Sequence, residues 1–141
     1  MNDPKVEKRS CTYIIMGVPI AWARPGRARH GMAYDTQKSE KTEYGWHLKA
    51  EHGADELFSG AVHMDVVFFM PITRSAAQNK IKFERDGKPH IFVPDLSNLI
   101  KFIEDAASND ILYHDDCIIA SISARKVWDL VPRTELTLRQ L

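Results

Sequence analysis

The chain has 141 residues, close to the commonest size of a single domain. Its 44% apolar and 27% charged residues are ordinary for a globular protein. No apolar run approaches the roughly 18 to 20 residues that a membrane helix requires, which excludes a membrane protein. The polar N-terminus is not a secretion signal, so we expect one cytoplasmic domain over residues 1–141.

Charge is unevenly distributed, although the formal net charge is zero. Residues 1–50 carry nine Lys and Arg against five Asp and Glu, whereas residues 95–141 carry five against eight. Zero net charge is unusual for a protein that binds nucleic acid. However, a basic half for phosphates and an acidic half for cations would suit a metal-dependent nuclease.

The N-terminal half predicts a strand over residues 12–20, a basic loop over residues 22–31 and a helix over residues 36–52. Thr36 is the expected cap of that helix, and Gly53 its end. The loop is either solvated or a basic arm that contacts the DNA backbone, with Trp22 nearby to pack or stack. We favour the arm, with Lys38 and Lys41 able to extend it. Its predicted DNA contacts are Arg24, Arg27, Arg29 and Lys38.

Three more strands are predicted, over residues 61–70, 117–128 and 134–141. With a second helix after residue 95, the order is strand, helix, strand, helix, strand, strand. We therefore expect an α/β fold, a mixed sheet packed by two helices on one face. The long segment 71–93 is expected to overhang the site that follows it. Cys11 and Cys117 are interpreted as buried free thiols.

The stretch from Phe92 to Asp105 shows the clearest helical pattern. Pro94 and Asp95 suit the start of a helix. Asn98, Lys101 and Asp105 line its polar side. Phe102 lies towards that side, so we expect it to be exposed unless something covers it, and a partner subunit is one candidate. The apolar face comprises Leu96, Leu99, Ile100, Ile103, Ala106 and Ala107.

The acidic residues here have two interpretations. In the first, Asp95 only caps the helix, and Asp115-Asp116 only forms a turn before a strand. In the second, Asp95 and Asp116 meet in space as ligands of a hard divalent cation, with Lys101 beside it to face a phosphate.

The spacing of these residues resembles the RusA-like Holliday junction resolvases. That family has a Pro-Asp-x-Asp-Asn-x-x-Lys signature and a later Asp-Asp pair. The matching positions are Pro94-Asp95-Leu96-x-Asn98-Leu99-x-Lys101, Asp105-Ala106 and Asp115-Asp116. Weaker similarity covers Gly17-x-Pro19, Arg24-Pro25, Tyr34, Lys38 and Glu40-Lys41.

The resemblance implies a small homodimeric endonuclease of bacterial or phage origin that cuts branched DNA. It also implies Mg2+ or Mn2+, held by Asp95 and Asp116, with Asp115 as a secondary ligand. Lys101 would stabilise the transition state and contact the DNA. Asp95, Asp116 and Lys101 are thus the predicted catalytic residues.

Ser97 departs from the signature, because the family has its second aspartate at this position. A neutral hydroxyl attracts a hard cation less than a carboxylate does. The alternative is therefore a junction-binding protein of the same fold whose cleavage is impaired or lost.

Overall fold

A computed structural model describes residues 8–24, 26–27, 31, 33–72 and 85–141. Arg29 and most of the long segment 71–93 lie outside these residues. The strands are β1 (Ser10–Met16), β2 (Gly26–Arg27), β3 (Ala33–Tyr34), β4 (Val62–Pro71), β5 (Ile119–Asp129) and β6 (Arg133–Gln140). The α-helices are α1 (Lys38–His52) and α2 (Leu96–Ala107), and a 3-10 turn spans Asp116–Ile118.

The main sheet has four strands in the order β1-β6-β4-β5. β6 is antiparallel to both β1 and β4, whereas β4 and β5 are parallel. Parallel neighbours need a crossover connection, and α2 provides it. The chain therefore leaves the end of β4, runs back along α2 and re-enters the sheet at the start of β5. The predicted mixed α/β sheet with two helices is confirmed.

The core lies on one face of this sheet. Alternate residues of β4 are buried there, from Val62 to Met70, because side chains alternate between the faces of a strand. α1 and α2 pack against them, and Leu48, Leu99 and Ile103 are almost completely buried. No helix among the described residues is long and apolar enough to cross a membrane.

Two local predictions are wrong, and the fold decides a third. The N-cap residue of α1 is Gln37, whose side chain makes no capping hydrogen bond, rather than Thr36. Cys117 is exposed and Cys11 half-buried, although both are free thiols as expected. Phe102 is only 1% exposed, because α1 covers that side of α2 and Tyr44 meets the phenyl ring edge-on at 5.1 Å.

Phe102→Ala should therefore lower the free energy of unfolding by about 3 to 5 kcal/mol, since it removes a buried ring and leaves a cavity. Denaturant unfolding followed by circular dichroism measures this loss. Trp46→Ala is the control, because Trp46 is 70% exposed on α1 and should change stability by less than about 0.5 kcal/mol. Similar losses from both substitutions would contradict the packing described here.

Candidate active site

The predicted site residues lie at the two ends of α2. Asp95 is the N-cap residue, but its side chain makes no capping hydrogen bond. The interpretation of Asp95 as merely a helix cap is therefore not supported by its contacts. Ser97 is exposed in the first turn, which contains no acidic side chain. We call Asp95, Ser97, Asn98 and Lys101 the N-terminal half-site.

Lys101 lies one and a half turns along α2 and is exposed. Its Nζ is 3.7 Å from the centroid of the Trp22 ring, within the range of a cation–π interaction. The backbone N–H of Trp22 donates to the carbonyl of Asn98 at 2.8 Å. Trp22, the first residue of the basic arm, is thus attached to the N-terminal half-site.

Lys126 of β5 holds the chain that enters α2. Its Nζ donates to the backbone carbonyls of Phe92 and Pro94, the latter at 2.6 Å. These charge-assisted hydrogen bonds fix the backbone immediately before Asp95. The position of the Asp95 carboxylate is therefore set by the end of the sheet as well as by α2.

A tight turn follows the other end of α2. Asn109 and Asp110 have φ values of 56° and 66°, a left-handed conformation that Asn and Asp tolerate better than most residues. These two residues therefore form the turn after α2. Beyond it, Tyr113 is completely buried, and its hydroxyl donates to the carbonyl of Glu104 at 2.7 Å. This anchor returns Asp115 and Asp116 to the C-terminal end of α2.

Four carboxylates gather at that end, and we call them the acidic half-site: Glu104, Asp105, Asp115 and Asp116. Burial, and then the negative charges of Asp116 and Asp105, raise the pKa of Glu104. Burial raises the pKa of Asp116 too, followed by its hydrogen bond to Asp115 and the charges of Asp115 and Asp105. Mutual repulsion of this kind is what a bound cation would relieve.

Asp115 and Asp116 have different local roles. The Oδ1 atom of Asp115 accepts from the backbone N–H of Cys117 at 2.9 Å and so caps the 3-10 turn. This bond is the main reason that the pKa of Asp115 is lowered. The interpretation of Asp115 as a turn residue is thus supported, whereas Asp116 is the more buried carboxylate of the pair.

Lys41 of α1 also reaches the acidic half-site. Its Nζ lies 3.0 Å from Asp35 Oδ2 and 3.7 Å from Asp105 Oδ2. Neighbouring carboxylates therefore pair with the Lys41 ammonium, and an extension of the basic arm by Lys41 stays a prediction. A cavity of about 290 Å3 lies here, lined by Asp35, Lys41, Asp105, Ser108, Asn109, His114, Asp115 and Asp116.

Asp95 and Asp116 lie towards opposite ends of α2 in one chain. Lys101 lies between them, and its positive charge partly offsets the rise in the pKa of Glu104. The ten positions from Asp95 to Asp105 correspond to about 15 Å along a helix, and Asp116 lies near Asp105. Among the described residues, no three His, Cys, Asp or Glu side chains form a group that could hold a metal ion. Convergence of Asp95 and Asp116 in a single chain is therefore not observed. That both bind a cation stays a prediction.

The basic arm is described in part. Arg24 is exposed, and Arg27 lies in the short β2–β3 hairpin, where Gly26 pairs with Tyr34. Lys38 is exposed at the start of α1. Arg29 lies outside the described residues. DNA contacts by these residues and Lys101 remain predictions.

Glu104, Asp35 and Lys41 were not predicted as parts of the site. Glu104 lies on α2 beside Asp105. Its position next to the polar side of that helix was the sequence signal that could have identified it as a site residue. Asp35 had no such signal, and Lys41 had only the weaker family similarity. The packing of α1 on α2 brings Lys41 to Asp105, and Lys41 pairs with Asp35 as well.

Comparison with known proteins agrees with the motif. Residues 17–139 match the protein family described as Endodeoxyribonuclease RusA. The match covers both half-sites and the basic arm. The chain is also 29% identical over 136 residues to YqaN of Bacillus subtilis, an uncharacterized protein. The matched region covers 92% of this chain and 95% of that protein.

Proposed function

The chain belongs to the RusA endodeoxyribonuclease family, and on this premise we propose that it is a divalent-metal-dependent endonuclease that cleaves Holliday junctions. The observation that carries the proposal is the family match, which includes Asp95, Lys101 and Asp116. The carboxylates at the ends of α2 and the lysine between them supply the groups that such a reaction needs. The relative in Bacillus subtilis is compatible with a bacterial or phage origin.

The separation of the half-sites supports a homodimer with composite sites. If two chains pair about a two-fold axis, the N-terminal half-site of one chain can face the acidic half-site of the other. Asp95 would then share a cation with Asp116 of the partner subunit. The same axis would create a second identical site, and a junction resolvase needs two sites to cut two strands.

An exposed apolar segment beside Asp95 is compatible with such pairing. Ile91, Phe92 and Val93 are 80%, 54% and 83% exposed, immediately before the N-terminal half-site. Contiguous exposed apolar side chains often mark contacts with another protein. A subunit contact there would lie next to the proposed metal site.

The donor set fits Mg2+ or Mn2+, because both half-sites offer carboxylate oxygens, the ligands that hard cations prefer. The raised pKa values of Glu104 and Asp116 indicate uncompensated negative charge in the acidic half-site. Asp95 and Asp116 would hold the cation, with Asp115 as a secondary ligand through its second oxygen. A bound cation would supply positive charge to the phosphoryl oxygens and make the attacking water more acidic.

The remaining residues have simpler roles. Lys101 would place its ammonium where negative charge develops on the phosphate in the transition state. Arg24, Arg27, Arg29 and Lys38 would contact phosphates along the DNA arms. Because phosphate contacts carry no sequence information, the branched structure of the DNA would be recognised rather than its sequence.

The purified protein should cut a labelled four-way junction in Mn2+, more slowly in Mg2+ and not at all in excess EDTA. Linear duplex of the same sequence should remain uncut. Gel shift in EDTA measures binding separately. Binding without cleavage in either metal would favour the alternative, a junction-binding protein impaired by Ser97. Absence of both binding and cleavage would overturn the proposed function.

A further inference from the structure

The contact between Trp22 and Lys101 connects the arm to the proposed catalytic lysine. The ammonium lies 3.7 Å from the centroid of the indole ring, well inside the roughly 6 Å limit for attraction between a cation and an aromatic face. Lys101 is exposed, and an exposed lysine without such a contact samples many side-chain conformations. The indole restricts this lysine to one side of α2.

Trp22 is itself held in place from both sides. Its backbone N–H donates to the backbone carbonyl of Asn98 at 2.8 Å, and this bond joins Trp22 to the first turn of α2. The Gln37 side chain accepts from the N–H of Ala23 at 2.9 Å and donates to the carbonyl of Ala21 at 2.7 Å. One amide group therefore fixes both neighbours of Trp22.

Gln37 is in turn attached to the start of α1. Its backbone N–H donates to Asp35 Oδ1 at 2.9 Å, and its carbonyl accepts from the N–H of Lys41 at 3.0 Å. The backbone that carries the indole is thus attached to the starts of both α-helices. A rigid support of this kind can orient a flexible side chain.

We propose that Trp22 is a positioning residue for Lys101. Its indole face holds the ammonium beside the N-terminal half-site before DNA binds, so that the charge is in place for the phosphate. The inference rests on the proposed function, because it assigns a role within that reaction.

The first test is single-turnover cleavage of a four-way junction at saturating protein. Trp22→Leu keeps apolar bulk but loses the aromatic face, and it should lower the rate about three- to fivefold. Trp22→Phe should recover part of that loss. Junction affinity in EDTA should be unchanged for both variants. Trp46→Leu, at an exposed tryptophan of α1, is the control and should cleave like the parent protein.

The decisive comparison uses Lys101→Ala, because a positioning role requires the lysine. In that background Trp22→Leu should have no further effect on the cleavage rate. If Trp22→Leu lowers the rate by the same factor with and without Lys101, the indole acts only through packing and the proposal is overturned.

Tryptophan fluorescence tests the contact without relying on cleavage. Lys101→Met should shift the emission of the parent protein, and the same substitution in a Trp22→Phe chain should not. Equal shifts in the two chains, or no shift in the parent, would overturn the positioning role. If the parent protein shows the shift but never cuts a junction, the proposed function is overturned instead. The role of Trp22 in cleavage is then overturned too.

Discussion

Asp116→Asn should lower junction cleavage at least about a hundredfold, the largest effect expected of any single substitution. Replacing groups that only support a metal ligand commonly costs 10- to 100-fold, so loss of a ligand itself should cost more. Asn keeps the shape of Asp116 and removes its charge. Because the pKa of Asp116 is raised by burial and neighbouring carboxylates, removing this charge should not destabilise the fold.

The measurement is a cleavage time course in Mn2+ together with a thermal melt. Asp65→Asn is the matched control, since Asp65 is an exposed carboxylate on β4 and is not part of either half-site. It should cleave like the parent. Near-normal cleavage by Asp116→Asn would show that the cation, if one is needed, is held elsewhere.

Ser97→Asp should raise both metal affinity and the rate of junction cleavage, the rate by at least about tenfold. A carboxylate two residues after Asp95 adds a charged oxygen, and the affinity of a hard cation follows the number of such ligands. The first turn of α2 has no acidic residue, so the new charge also interacts favourably with the helix dipole. The parent is expected to bind Mg2+ only in the millimolar range or more weakly, and Mn2+ more tightly.

Ser97→Asn separates charge from size, because it adds the same side-chain shape without a negative charge. Calorimetric titration with Mg2+ and Mn2+ should show tighter binding for Ser97→Asp alone. If the parent already cuts quickly in Mg2+ and Ser97→Asp gains nothing, another carboxylate, such as Asp105 or Asp115, has taken over the missing role.

The elements of the fold could be predicted because each has a local pattern. The three- and four-residue spacing of Leu96, Leu99 and Ile103 predicted α2, and all the main strands lie within a few residues of their predicted positions. The burial of Phe102 could not be predicted in this way. A helical wheel shows one buried face, but α2 packs against both the sheet and α1.

The sequence names candidate residues for the site, but it does not give their arrangement in space. Asp95 precedes α2, and Asp116 precedes β5. In a crossover between parallel strands the helix runs opposite to the strands, so these two positions fall at opposite ends of the connection. Motif spacing predicts which residues take part, whereas the direction of the crossover decides which of them can meet within one chain.

Mixing two inactive variants tests the central claim that the active site is shared between subunits. Asp95→Asn and Asp116→Asn proteins are each expected to be inactive, and they would be unfolded, mixed in equal amounts and refolded to exchange subunits. Each mixed dimer would then contain one site with both substitutions and one with none, so roughly a quarter of the normal sites should be restored.

The measurement is nicking of a labelled junction by the mixture, with each refolded variant alone as the control. The composite-site account predicts nicks in single strands by the mixture and none by either variant alone. A mixture as inactive as its components, although gel filtration shows dimers, would contradict a site built from Asp95 of one subunit and Asp116 of the other.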